Sequence, residues 1–331
     1  MSGLRAIRDG SVQGQRKTTS LVELGLGFAA IYLIWGSTYL GIRYAIETIP
    51  PLLMMGTRQF LAGVVVFAWA RVRGAPSPSR QQWGGAGIAA ALLFLGGHGM
   101  LAWGEQKVPS GLAALLCATL PLWTVLLARL DGSEPRLAWK AWSGVFLGFG
   151  GVALLMGPGI VGQRLDWTAA VGVLSSALFW ALGTSYTRRA VLPSSKILSA
   201  AMQMMCGGLW LLMAGLLFGE GSRIEFHHLS ARSVLSLGYL IVFGSIVAFT
   251  VYTWLVAASS PSMLATYAYV NPVIAVFLGW ALAGEALNWR VALATLIIVA
   301  GVILVSTRGK RPVELRGRVR VSEWRPEADG A

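Results

Sequence analysis

Aromatic, basic and amide side chains set deep in apolar runs are the residues of this sequence that invite chemistry. Trp35 and Tyr39 stand four apart, so a helix places indole and phenol on one face. Trp103, Trp180, Tyr252, Trp254, Tyr267 and Tyr269 occupy similar runs. Asn271-Pro272 adds an amide beside a proline that frees a backbone carbonyl. A cage of indoles and phenols binds flat apolar or cationic groups by stacking and cation–π attraction. His98 falls with Ala102 and Glu105 on one helical face, among Gly96, Gly97 and Gly99. That face suits a proton relay; it equally suits a neutral imidazole hydrogen-bonded to a closely approaching helix, with Glu105 solvated at the boundary. Arg58 lies about 9 Å inside its run by helix rise. It offers a contact for a substrate carboxylate, a gating salt bridge, or a structural pair with Glu47 or backbone carbonyls. Pro121 and Pro272 are expected to break helices.

Other chemistries lack their residues. The sequence has no phosphate-binding glycine loop, no HExxH pair and no nucleophile elbow, and no carboxylates or His/Asp pair converge within the apolar runs. An ATP-driven pump and an enzyme are therefore not expected. His227-His228 with Glu225 reads as a solvated loop rather than a metal site. Cys117 and Cys206 fall in apolar runs and read as small apolar residues. No cofactor or metal is expected. The net charge of +13 does not form a basic stripe with interleaved aromatics, which argues against nucleic acid.

The elements that must position these residues follow from composition. Of 331 residues, 55% are hydrophobic and 12% charged, about half the charged fraction of a soluble chain. So many unbroken apolar runs suit a bilayer, where each helix of about 20 residues satisfies its own backbone. Ten spans are expected, at 22–46, 52–71, 83–103, 110–129, 141–158, 168–187, 198–219, 233–257, 263–283 and 291–307. Prolines separate several of them, and tryptophans sit near several ends. The N-terminal segment is basic and lacks a short apolar run with a cleavage site, so no removed signal peptide is expected. With the N-terminus inside, twenty Lys and Arg lie on the cytoplasmic side and five opposite. This asymmetry places both termini in the cytoplasm.

The chain also repeats itself. A shift of 151 residues lays Trp103 on Trp254, Pro121 on Pro272, Glu134 on Glu285 and Gly150 on Gly301. A shift of 145 lays Trp35 on Trp180, Arg43 on Arg188 and Arg58 on Gln203. Five spans per half is an odd number, so the halves enter the membrane in opposite directions, as in secondary transporters with a midplane site. The expected organisation is a basic cytoplasmic segment over 1–21, repeats over 22–158 and 168–307, and a basic cytoplasmic tail over 308–331.

Ile34-Trp35-Gly36-Ser37-Thr38, Arg58-Gln59-Phe60, the Pro121 and Pro272 helices and Gly284-Glu285 resemble the EamA-type branch of the drug/metabolite transporter superfamily. The stretch from Glu105 to Ala114 is most similar to its bacterial amino-acid and metabolite exporters. The resemblance covers about residues 22–307. Ser133-Glu134-Pro135 departs from the second repeat's Gly284-Glu285-Ala286. The resemblance implies an all-α polytopic membrane protein of ten transmembrane helices, with cytoplasmic termini and a central cavity. It further implies a secondary exporter of small metabolites in the bacterial inner membrane. Amino acids, aromatic ones among them, are the expected cargo, and protons the expected coupling ion. Partners reduce to the small-molecule substrate and the lipid bilayer, for a monomer or weak dimer. Two alternatives stand: a nucleotide-sugar or sugar-phosphate antiporter of the same fold, which needs more cavity-facing cations than Arg43 and Arg58, and an intramembrane lipid-headgroup enzyme.

Overall fold

The structure is a computed structural model; it describes residues 20–130, 139–156, 166–259, 261–264 and 266–306. The matches at Glu134 and the two terminal segments lie outside these residues, apart from Ser20 and Leu21. The regular elements among the described residues are all helices, without a strand. The helices are α1 (Leu21–Ala45), α2 (Pro51–Val72), α3 (Arg80–Gly104), α4 (Ser110–Leu130), α5 (Trp139–Met156), α6 (Trp167–Thr187) and α7 (Lys196–Leu217). After them come α8 (Ala231–Val256), α9 (Tyr267–Ala283) and α10 (Trp289–Ser306). Seven (α1 to α4 and α6 to α8) are long and apolar enough to cross a membrane. Their outward faces carry Leu33, Val65, Ile88, Val242 and Phe243 exposed, as contact with lipid tails requires.

Helix starts fall into two kinds. Where the sequence supplies a short polar residue, the helix caps itself. Ser20 with Glu23 and Ser79 with Gln82 form capping boxes, and Asp166, Ser195 and Ser230 accept first-turn N–H groups. Helices α2 and α4 instead follow Pro50 and Pro109, which offer no side-chain acceptor. Both are capped from a distance. Glu220 accepts from Leu52 N (3.3 Å) and Leu53 N (2.9 Å), and Glu285 accepts from Ser110 N (2.6 Å), Ser110 Oγ (2.8 Å) and Gly111 N (2.9 Å). Buried orphan donors find carboxylates, and in doing so they tie helices distant in sequence.

Packing respects the sequence repeat. The two largest helix pairs join α2 with α7 and α5 with α10, equivalent helices of the two halves. Helix α1 packs on α8 and α9, as α6 packs on α3 and α4. Equivalent contacts recur in atomic detail. A Cβ on Gly27 would lie 2.6 Å from the Trp254 ring, and one on Gly172 lies 2.7 Å from the Trp103 ring. Both α3 and α8 contain a π-helical segment, Ala91–Gly99 and Leu240–Val247, at overlapping positions of the repeat. Glycines allow the closest approach between α5 and α10, where a Cβ on Gly301 would stand 2.6 Å from Gly148 N.

The prolines act differently from one another. Helix α4 steps at Ala118-Thr119, and Pro121 opens its second piece, Leu120–Leu130. Pro272 does not break its helix, contrary to expectation, because Tyr267–Ala283 runs through it. The interruption falls earlier, between the short turn Pro261–Leu264 and Tyr267.

Candidate functional site

Side chains from α1, α8 and α9 assemble the aromatic core. Trp35 meets Tyr252 and Tyr267 at centroid distances of 5.2 Å each, and those two tyrosines pair at 6.0 Å. The Trp35 indole donates to the Gly244 carbonyl at 3.3 Å, inside the π-helical segment of α8. Tyr32, one turn away on α1, shares a hydrogen bond with Thr266 ahead of α9. The mate of Trp35, Trp180 on α6, meets the π segment of α3 instead: its ring lies 4.8 Å from His98 and 6.0 Å from Phe94. Each tryptophan therefore rests on the π segment across the bundle. A π turn leaves backbone and side chains off the regular ladder, a common device at functional sites.

A second, polar group lies on α2, α3 and α8. Arg58 is 5% exposed and donates through Nε to Ser245 Oγ (3.0 Å) and through Nη1 to Met55 Sδ (3.7 Å). It does not pair with Glu47, one of the partners the sequence offered. Glu47 pairs with Arg232 at 2.8 Å, at the far end of α1, where Arg232 also lies over the Tyr44 ring. Gln59, beside Arg58, contacts His98 Nδ1 at 2.8 Å. With the amide donating, Nδ1 accepts and the ring proton sits on Nε2.

Glu105 corrects the expectation most. It is not solvated: the residue is 0% exposed, and neither carboxylate oxygen has a hydrogen-bond partner. His98 is held by Gln59, Trp180 and Phe94, and no hydrogen bond joins it to Glu105 among the described residues. The shared helical face does not make a hydrogen-bonded relay. Asn271 is also buried, with Oδ1 unpartnered.

Other expected residues lie apart. Trp103 and Trp254 are 38% and 39% exposed and fill glycine notches on the bundle's flank rather than joining the ring cluster. Tyr269 packs on a different core from Tyr267, two residues before it. His227 and His228 lie in an exposed 3-10 turn, where His228 contacts Glu225, and no group able to hold a metal occurs among the described residues. Sequence reasoning missed Ser245, Gln59 and Glu220. Only Gln59 carried a signal, as an amide beside a buried arginine.

One end of the bundle is fastened by several bonds. Tyr44 Oη donates to Leu282 O (2.8 Å), Ser233 Oγ to Tyr44 O (2.8 Å), Ser230 N to Thr48 Oγ1 (3.2 Å) and Arg43 Nη1 to Glu105 O (2.6 Å). With Glu285 on α4 and Glu47 on Arg232, these join α1 to α3, α8 and α9, and α9 to α4. An all-helical membrane bundle with a duplicated unit, buried polar groups and one fastened end is the construction of a transporter.

Comparison with known proteins agrees. The EamA-like transporter family model matches twice, over residues 24–157 and 167–307, and the chain belongs to that family. The inner membrane transporter YedA of Escherichia coli (strain K12) is 39% identical over 283 residues, 85% of this chain and 89% of that one. The transporter YoaV of Bacillus subtilis (strain 168) is 27% identical, covering 86% and 97%. A chain of known crystal structure at 20% identity superposes with a TM-score of 0.58, covering 86% of this chain and 96% of that one, which shows a shared fold. The protein is a membrane transporter and not an enzyme.

Proposed function

We propose that the protein exports small metabolites across a bacterial inner membrane, amino acids first and aromatic ones among them, by alternating access coupled to protons. In this reading ten helices span the bilayer as two inverted five-helix repeats, with both termini in the cytoplasm. The observation that carries it is the exchange of equivalent contacts between the halves: Trp35 and Trp180 each rest on the opposite half's π segment. Two near-equivalent packings of one duplicated unit can interconvert, which opens a central site to each side in turn. On this topology the fastened end, with Glu47–Arg232 and Tyr44–Leu282, faces outward and is closed.

Cargo follows from the lining chemistry. Trp35, Tyr252 and Tyr267 offer rings for stacking, and Asn271 Oδ1 offers an acceptor. A sugar-phosphate cargo would need free cations, whereas Arg58 is engaged by Ser245 and Arg43 by the Glu105 carbonyl. Location in the inner membrane is supported by the likeness to YedA. The test is counterflow of labelled L-phenylalanine and other amino acids in proteoliposomes. Saturable exchange is expected; folded protein without saturable flux for any amino acid or hydrophobic cation would overturn the reading.

A further inference from the structure

Among the described residues, Glu105 is the one buried carboxylate whose oxygens are left without a hydrogen-bond partner. Its side chain is fully buried at the end of α3, yet both oxygens lack any partner among the described residues. The other two carboxylates that reach into the bundle are saturated: Glu220 by two backbone N–H groups, Glu285 by two and a hydroxyl. Charged and titratable groups face Glu105 from each neighbouring element. They are Tyr39 and Arg43 of α1, Arg58 of α2, Cys117 of α4 and Glu285 beyond α9. None of them hydrogen-bonds its oxygens. Arg43 spends its guanidinium on the backbone carbonyl of Glu105 itself, at 2.6 Å, and on that of Gln106. Arg58 donates to Ser245 and Met55. Cys117 lies against Ser176, at 3.5 Å. A carboxylate whose oxygens accept no hydrogen bond is costly in such an interior.

We infer that Glu105 is the cation-acceptor position of the transport site, which carries one positive charge brought by a proton or by the ammonium group of an amine cargo. The two exclude each other because one carboxylate neutralises one charge. This gives the exporter reading above, on which the inference rests, a chemical coupling step: a proton leaves as an ammonium arrives, and returns when the cargo departs. Arg43, held on the backbone carbonyl of the same residue at 2.6 Å, supplies a positive charge beside the carboxylate when neither is bound.

The experiment uses the full chain in detergent and dicyclohexylcarbodiimide, a reagent that modifies protonated carboxyls in apolar surroundings, with the modified residue found by peptide mass spectrometry. The expected result is an adduct at Glu105 that declines as pH rises, none at Glu220 or Glu285, and none on Glu105→Gln protein. Protection by L-phenylalanine but not by N-acetyl-L-phenylalanine supports the cargo's ammonium as the competing charge. Labelling unchanged by either compound supports the proton alone as the cation. An unmodified Glu105 at every pH, or equal modification of Glu220 and Glu285, overturns the inference. Labelling requires no flux, so a protein that labels at Glu105 yet transports nothing refutes the exporter reading and leaves Glu105 standing as a protonatable carboxyl of the interior.

Discussion

Replacing Glu285 by alanine should loosen the bundle far more than any surface charge change at the same end. The carboxylate holds three donors, Ser110 N, Ser110 Oγ and Gly111 N, at 2.6 to 2.9 Å, and Ser110 is fully buried. No local residue can replace it, because Pro109 precedes the helix and has no side-chain acceptor. An N-cap alone is worth about 0.5–2 kcal/mol. Each buried donor left unpaired costs about 1–3 kcal/mol, partly relieved by relaxation. Together they give about 2–4 kcal/mol for Glu285→Ala and roughly half that for Glu285→Gln, which keeps an acceptor oxygen. With an unfolding entropy of about 2.1 cal/mol/K per residue, 331 residues give roughly 1.4 °C per kcal/mol, so Glu285→Ala melts about 3–6 °C lower. The half-exposed Glu47–Arg232 pair is the control, since pairs of that kind contribute about 0–1 kcal/mol. Thermal unfolding in detergent, followed by tryptophan fluorescence at a fixed scan rate, gives the comparison. If Glu285→Ala melts no lower than Glu47→Ala, the claim that remote carboxylates cap the proline-led helices is refuted.

Two further outcomes follow from the same structure. A hydrogen bond from Lys107, together with the Ala169 N–H, holds the partly exposed Asp166 carboxyl below its usual range. Its contribution is therefore present above the unfolded carboxylate value and is lost as pH falls through the lowered one. Asp166→Asn should melt below the parent at neutral pH, and the gap should close under about pH 4; a gap constant across that range counts against it. Between α5 and α10, Gly301→Ala puts a Cβ 2.6 Å from Gly148 N and 2.7 Å from Gly144 O, and backbone cannot step aside. It should cost about 1–3 kcal/mol. Gly150→Ala, at the matching position of the first half, meets nothing within 4 Å and should leave melting unchanged.

Helix positions were legible because bilayer helices announce themselves by apolar length. The run at 22–46 is helix Leu21–Ala45, and the run at 52–71 is Pro51–Val72. Where a polar cap extends a helix beyond its apolar stretch, the reading fell short. Ser79 and Gln82 start α3 three residues before the expected 83. Helix α9 showed the opposite error, since Pro272 drew attention to a break that lies upstream of it. Trp35, Tyr252 and Tyr267 do meet, but Trp103 and Trp254 do not join them, because spacing along a helix does not say which face turns inward. Arg58 was visible as a buried cation, and its partner was not. Ser245 lies 187 residues away and became its acceptor only through the packing of α2 on α8. Glu105, next to Gln106 and Lys107, looked like a solvated boundary residue. The helices packed around it made it the most enclosed carboxyl of the bundle.

The central claim, alternating access, is tested most directly by tying the fastened end shut. Cysteines at Glu47 and Arg232, in a background with Cys117 and Cys206 replaced by serine or alanine, place two thiols where an ion pair now closes α1 on α8. The account predicts that a short cross-link between them stops amino-acid counterflow in proteoliposomes, and that a reductant which cleaves the link restores it. Flux that continues at the parent rate with the cross-link demonstrably formed would contradict it.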